Sequence, residues 1–359
     1  MSDLDAHFPP ASNTKQIEVK KMPLSHFFIT GCPRSGTTML QQALNRHTDV
    51  VVPAETKYFC YFYGMPIRWQ RQHVERMKSD LGIHLEAHTR VISDDEAHLR
   101  YFRGIAERCI DRSGKSGVRF FGEKTPEHAN RIPLIRRVLP DSKVIYVHRD
   151  PRAVVASLLK VPWITCSPRT ASLVWNKYVQ FWLLHQRSPD PNTLIVRYED
   201  LARSPRKVLR QACAFLGAEF QAEVADGTGD SQIIPERELR WKSHSLRSID
   251  TSRIDQWKEI LSDREVAQVE RLTGSTMLQM GYQPETDPPY RPCLYDRALL
   301  IPESLRTASS LTYQCLLSEL RFCLKTKISS AVHPNKPQQG WGQGSAGHRT
   351  RRRGSAPQG

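Results

Sequence analysis

The stretch "HFFITGCPRSGTTMLQQALNRH", residues 26–47, constrains this chain more than any other. An apolar run leads into a Gly-bounded loop, and a helical pattern follows, with Met39, Leu40, Ala43 and Leu44 on one face. A buried strand that turns abruptly into a helix exposes the helix's first amides, where the dipole favours negative charge. Gly36 lets the backbone turn tightly and approach an anion closely. The amides of Ser35, Gly36, Thr37 and Thr38 are expected to face outward, with two Thr hydroxyls as further donors.

The order strand, loop, helix recurs along the chain. "FFGEKTPEHANRIPLIRRVLP", "SKVIYVHRDPRAVVASLLK" and "NTLIVRYEDL" with "SPRKVLRQACAFLG" each read that way, and "VVVPAETKYFC" reads as a further strand with a polar end. Residues 65–115 are charged and read as helices over one face, and "SDREVAQVERLTGSTMLQMGY" as a late helix. Short apolar strands alternating with helices predict an α/β fold, a P-loop NTPase-like parallel sheet flanked by helices on both faces. In such sheets ligands collect beyond the carboxyl ends of the strands, where the polar loops converge. The expected organisation is a polar lead-in over 1–24, one domain over 25–283, a partly helical extension over 284–330 and a disordered basic tail over 331–359.

The loop spacing is GxxxxGTT, Gly31 to Thr38. Thr37 stands where nucleotide-hydrolysing loops of the form GxxxxGK[ST] carry the Lys that reaches terminal phosphates. The nearby cation is instead Arg34, on the loop itself. Such a loop suits a 5′-phosphate but lacks the equipment of Mg-ATP hydrolysis. A second anion site follows the strand at 143–148, where Arg149 stands at the strand end and Ser157 lies eight residues on. A guanidinium fork and a hydroxyl at that spacing can hold one phosphate. "HRD" also occurs in kinase catalytic loops, but Val155 occupies the place of their Asn and no DFG follows.

Taken together, "PRSGTT", "EKTP", the Arg149/Ser157 pair and "RYEDL" resemble the sulfotransferases that use 3′-phosphoadenosine 5′-phosphosulfate (PAPS). The Arg-bearing loop is similar to the tyrosylprotein and bacterial forms. The resemblance covers about residues 25–283. It implies transfer of a sulfuryl group to a hydroxyl or amine, adenosine 3′,5′-bisphosphate as the product and no metal. It implies that Arg34, Ser35, Gly36, Thr37 and Thr38 bind the 5′-phosphosulfate, Arg149 and Ser157 the 3′-phosphate, and that Tyr198 touches the adenine. Arg253, Trp257 and Lys258 fall in a loop similar to the one that closes over the 3′-phosphate.

In-line sulfuryl transfer needs a general base for the acceptor's proton and cations for the leaving oxygen. Glu55, 21 residues after Arg34 and followed by Thr56, matches the base Glu of the tyrosylprotein enzymes. His128 is the rival, since small-molecule sulfotransferases use a His. The resemblance makes Lys124, in "EKTP", the leaving-group cation beside Arg34. Burial would raise the Glu55 pKa and Arg34 would lower it; the sequence leaves that balance open. The competing readings are a P-loop nucleotide kinase or NTPase, and a non-catalytic nucleotide- or polyanion-binding protein.

Apolar residues make up 39% and charged ones 25% of the 359, the balance of a globular chain. The net charge is +15, of which the acid-free tail supplies five through Lys336, Arg349, Arg351, Arg352 and Arg353. Such a surplus suits an anionic ligand. No stretch approaches the roughly 20 apolar residues of a membrane span. With eight Cys in no CxxC spacing and no apolar leader, a reducing cytoplasm is the expected setting. His84 and His88 read as a solvated helix face rather than a metal site, and the stripe Trp175, Tyr178, Phe181 and Trp182 as core packing. The acceptor is expected to be a carbohydrate, lipid, peptide or small metabolite. No specific nucleic acid is expected as a partner.

Overall fold

The computed structural model of the protein describes residues 24–62, 65–85, 94–162, 166–185 and 190–286. The expected lead-in up to residue 23, the extension beyond Thr286 and the basic tail lie outside the described residues. Five strands form one sheet: β1 (Ser25–Gly31), β2 (Val50–Val51), β3 (Phe120–Lys124), β4 (Lys143–His148) and β5 (Thr193–Arg197). Their order is β2-β3-β1-β4-β5, and every neighbouring pair is parallel. Parallel strands need crossover connections, which lay helices on the sheet faces.

The strand sequences show why both faces are covered. Successive side chains point to opposite sides of a strand. Ile145 and Val147 of β4 join one core cluster, with Leu40, Leu44 and Leu209. Val144 and Tyr146 join the other, with Val154, Trp175 and Trp182. All four β4 residues are fully buried, so the run has no solvent face. The aromatic stripe of the helix Pro168–His185 packs mostly into this second cluster: the Trp182 ring stacks on Tyr146 at 4.0 Å between centroids.

Two local expectations are corrected. The strand read over "VVVPAETKYFC" is only Val50–Val51, and Tyr58–Tyr61 is a helical turn. Pro53 has no amide for a ladder, and the Val52 amide turns to the Asn45 side chain at 2.8 Å. The chain thus leaves the sheet early and runs over its end. His84 is exposed but not helical, because Gly82, at φ 61°, ends the helix Ile67–Leu81 before it; His88 lies outside the described residues. Among the described residues no helix is long and apolar enough to cross a membrane.

Candidate active site

The strand order decides which loops meet. β1 sits in the middle, so its loop has the ends of β3 and β2 on one side and those of β4 and β5 on the other. Lys124 ends β3 and Glu55 follows β2; Arg149 follows β4 and Tyr198 follows β5. Residues from all five strand ends line one cavity of about 730 Å³, among them Thr38, Glu55, Arg149, Ser157, Tyr198 and Lys242.

The loop is held in a conformation few residues favour. Gly36, at φ 95°, caps the helix Thr37–Asn45, and a Cβ there would lie 2.4 Å from the Tyr198 ring. Gly31 has no room either, since a Cβ would meet the Val147 carbonyl at 2.1 Å. Arg34 (φ 73°) and Lys57 (φ 52°) are the non-Gly residues with positive φ among the described residues, and both line the cavity. Such strain costs about 1–3 kcal/mol per residue and persists where surrounding structure enforces it. The Ser35 amide, expected to face outward, instead donates to the Cys32 carbonyl at 3.1 Å. Ser35 is buried beneath the loop. The outward amides are those that open the helix, Gly36 to Thr38, which have no intrahelical acceptor.

On one side of the loop lies a lysine-rich carboxylate. Lys124 reaches Glu55 Oε1 at 2.5 Å and Thr38 Oγ1 at 3.4 Å. Its ammonium, absent from the loop sequence, is therefore delivered to the loop by the neighbouring strand. Lys242 lies 2.8 Å from the same Glu55 oxygen, and Lys57 lies 3.6 Å from Oε2. Burial drives the Glu55 carboxyl upward, but Lys124, Lys242 and Lys57 outweigh it and hold its pKa well below the usual range. Burial pushes the Lys124 ammonium down to about 8, with Glu55 opposing.

Both residues are aimed by a buried support. Glu123 Oε1 accepts from the Thr56 hydroxyl at 2.7 Å, the Thr56 amide at 3.0 Å and the Thr125 hydroxyl at 2.7 Å. Thr56 follows Glu55 and Thr125 follows Lys124, so one carboxylate fixes both neighbours. His128 belongs to this support. It is fully buried, with Nδ1 2.7 Å from Glu123 Oε2 and Nε2 accepting the Phe59 amide at 3.3 Å. It is not among the residues lining the cavity.

On the other side lies a cationic pocket. Arg149 stacks over the Tyr198 ring at 4.0 Å and donates to the carbonyls of Arg34, at 3.3 Å, and Arg253. Its backbone is fixed by Trp175, whose indole donates to the Arg149 carbonyl at 3.1 Å. Arg34 turns toward this side: Nε donates to Ser157 Oγ at 3.0 Å, and a terminal nitrogen donates to the Trp241 carbonyl at 3.0 Å. Burial pushes the Arg34 guanidinium down to about 10, with Arg149 and Arg253 adding to the effect. Arg149 Nε is buried without a hydrogen-bond partner among the described residues. A charged donor left over in a pocket of guanidinium groups fits an anion. Of the late loop, Arg253 and Trp257 line the cavity, whereas Lys258 is half exposed and pairs with Glu285 at 3.3 Å.

Sequence reasoning missed the segment around the helix Glu236–Lys242. Trp241 and Lys242 contact Arg34 and Glu55, and neither belongs to a strand-end loop. The one available signal was the i,i+4 spacing of Glu238 and Lys242, which pair at 2.6 Å.

Comparison with known proteins gives concordant results. The model of the Sulfotransferase family matches residues 26–222. Protein-tyrosine sulfotransferase 1 of Danio rerio is 25% identical over 305 residues, 80% of this chain and 81% of that protein. Protein-tyrosine sulfotransferase A of Caenorhabditis elegans is 23% identical over 291 residues, 73% of this chain and 68% of that protein. Among solved structures, the sulfotransferase domain of the Synechococcus PCC 7002 olefin synthase aligns with a TM-score of 0.55 at 23% identity. That alignment covers 76% of this chain and 99% of that one, and it bears on the fold.

Proposed function

The chain belongs to the Sulfotransferase family and moves a sulfuryl group from PAPS to an acceptor, and we propose that Glu55 takes the acceptor's proton. Glu55 is the carboxylate that both lines the cavity and contacts the cation serving the loop. The placement of His128, fully buried beside Glu123 and not among the residues lining the cavity, supports Glu55 over it.

In this reading the helix-opening amides, Thr37 and Thr38 hold the 5′-phosphosulfate. Arg149, with Ser157 and Arg34 beside it, holds the 3′-phosphate, and Tyr198 lies against the adenine. The acceptor oxygen bonds to sulfur as the bridging sulfur–oxygen bond breaks. Its proton passes to Glu55, and the electron pair of the broken bond stays on the departing phosphate oxygen. Lys124 stabilises that oxygen through its position between Thr38 and Glu55. Negative charge arriving at the loop competes with Glu55 for the Lys124 ammonium. Relieved of part of that hold, the carboxylate becomes a stronger base as the leaving group forms.

The names of the relatives support a phenolic hydroxyl as the first acceptor to test. The experiment is transfer of label from PAPS to a tyrosine-containing peptide by the parent chain and by Glu55→Gln. A loss of about 10²–10⁴-fold in the variant is expected, with adenosine 3′,5′-bisphosphate still bound. Undiminished turnover by Glu55→Gln would remove Glu55 from the role.

A further inference from the structure

Two adjacent residues of the segment after β5 touch both sides of the site. The Trp241 carbonyl accepts the Arg34 guanidinium. Lys242 divides its ammonium between Glu55 Oε1 at 2.8 Å and Glu238 Oε2 at 2.6 Å. Glu238 sits one helical turn back and is flanked by Arg237 at 3.6 Å and Arg76 at 3.9 Å. Holding an ammonium this deep requires carboxylate partners. Burial opposes its charge, but Glu55 and Glu238 prevail and leave the Lys242 pKa raised.

Lys124 and Lys242 share one oxygen of Glu55, yet their other partners differ. Lys124 also serves Thr38 on the loop. Lys242 is tied instead to Glu238. A leaving group that draws on Lys124 therefore leaves Lys242 in place. Building on the reading of Glu55 as the base, we infer that Lys242, anchored by Glu238, is a positioning residue. It holds Oε1 of Glu55 throughout turnover and leaves Oε2 to receive the proton. The groups that act on Glu55 are Lys124 from β3, Lys57 from its own loop and Lys242 from the helix Glu236–Lys242. Arg34 and Arg237 also feel the Glu55 charge. Glu127 and Glu238 oppose them through their pairs with Lys57 and Lys242.

The test is a carbon-13 carboxyl NMR titration of the full chain labelled at glutamate, with the Glu55 signal assigned by Glu55→Gln. Lys242→Met is expected to raise the Glu55 midpoint by about 1–2 pH units, since one close cation is lost. Lys242→Gln, which keeps a hydrogen-bonding group without the charge, is expected to do the same and serves if the Met variant fails to fold. Lys242→Arg is expected to stay near the parent midpoint, a rescue that a purely structural contact would not give. A Glu55 midpoint unmoved in both neutral variants overturns the inference. Retained transfer by Glu55→Gln is a separate result, which removes the base and leaves the measured Lys242–Glu55 coupling intact.

Discussion

At the residue scale the site turns on how one carboxylate and one ammonium share charge. Lys124 is buried and its pKa is pushed down to about 8 by that burial, Glu55 opposing. Below that pH the ammonium is present for the donor's anionic groups; above it the free protein loses the proton that binding would favour. Donor affinity is therefore expected to be full below about pH 8 and to fall as pH rises through it, by at most about tenfold per unit. Titrations of adenosine 3′,5′-bisphosphate between pH 7 and 9.5 measure this, and a flat affinity would contradict it. The residue types of the site were legible because sulfuryl transfer needs a base, a cation and amides, and because the motifs that carry them follow one another in an order that resembles the sulfotransferases. Their pairings were not. Sequence placed Arg34 beside Glu55 as the group that lowers its pKa, whereas three lysines do so, and Arg34 faces Ser157. Lys124 is next to Glu123 in sequence, yet the strand alternation turns Glu123 to Thr56 and His128, and Lys124 to Glu55 and Thr38.

At the scale of elements, the loop and its packing set the geometry. Gly36 has both a positive φ and a ring where a Cβ would go. Gly36→Ala is expected to destabilise the fold by about 1–3 kcal/mol and to abolish donor binding. In a chain of 359 residues each kcal/mol lowers the melting temperature by about 1–2 °C. A variant that melts and binds like the parent would show that the loop tolerates a side chain. The strands β1, β3, β4 and β5 were legible because each is an apolar run closed by a polar turn. β2 was overread, since three valines promise more pairing than an edge strand followed by Pro53 can use. The segment around the helix Glu236–Lys242 was illegible for another reason. It carries little apolar periodicity, and its position follows from tertiary ion pairs such as Arg237 with Asp80, far away in sequence.

At the scale of the whole molecule, the middle position of β1 makes one nucleotide the bridge between two groups of strands. The base and its lysines arrive with β2 and β3, the guanidinium pocket with β4 and β5. A ligand that touches both is expected to stabilise the fold as a unit, by about 2.7 kcal/mol at a hundred times its dissociation constant. Thermal melts with and without adenosine 3′,5′-bisphosphate check this, and an unchanged melting temperature at saturating ligand would count against it. The most direct test of the two-sided grip is isothermal titration calorimetry of the full chain with that compound in EDTA. One equivalent is predicted to bind the parent, and Arg149→Gln is predicted to weaken it roughly 10–100-fold, the loss of a hydrogen bond to a charged group. No binding heat from the parent, or equal affinity in Arg149→Gln, would contradict the account.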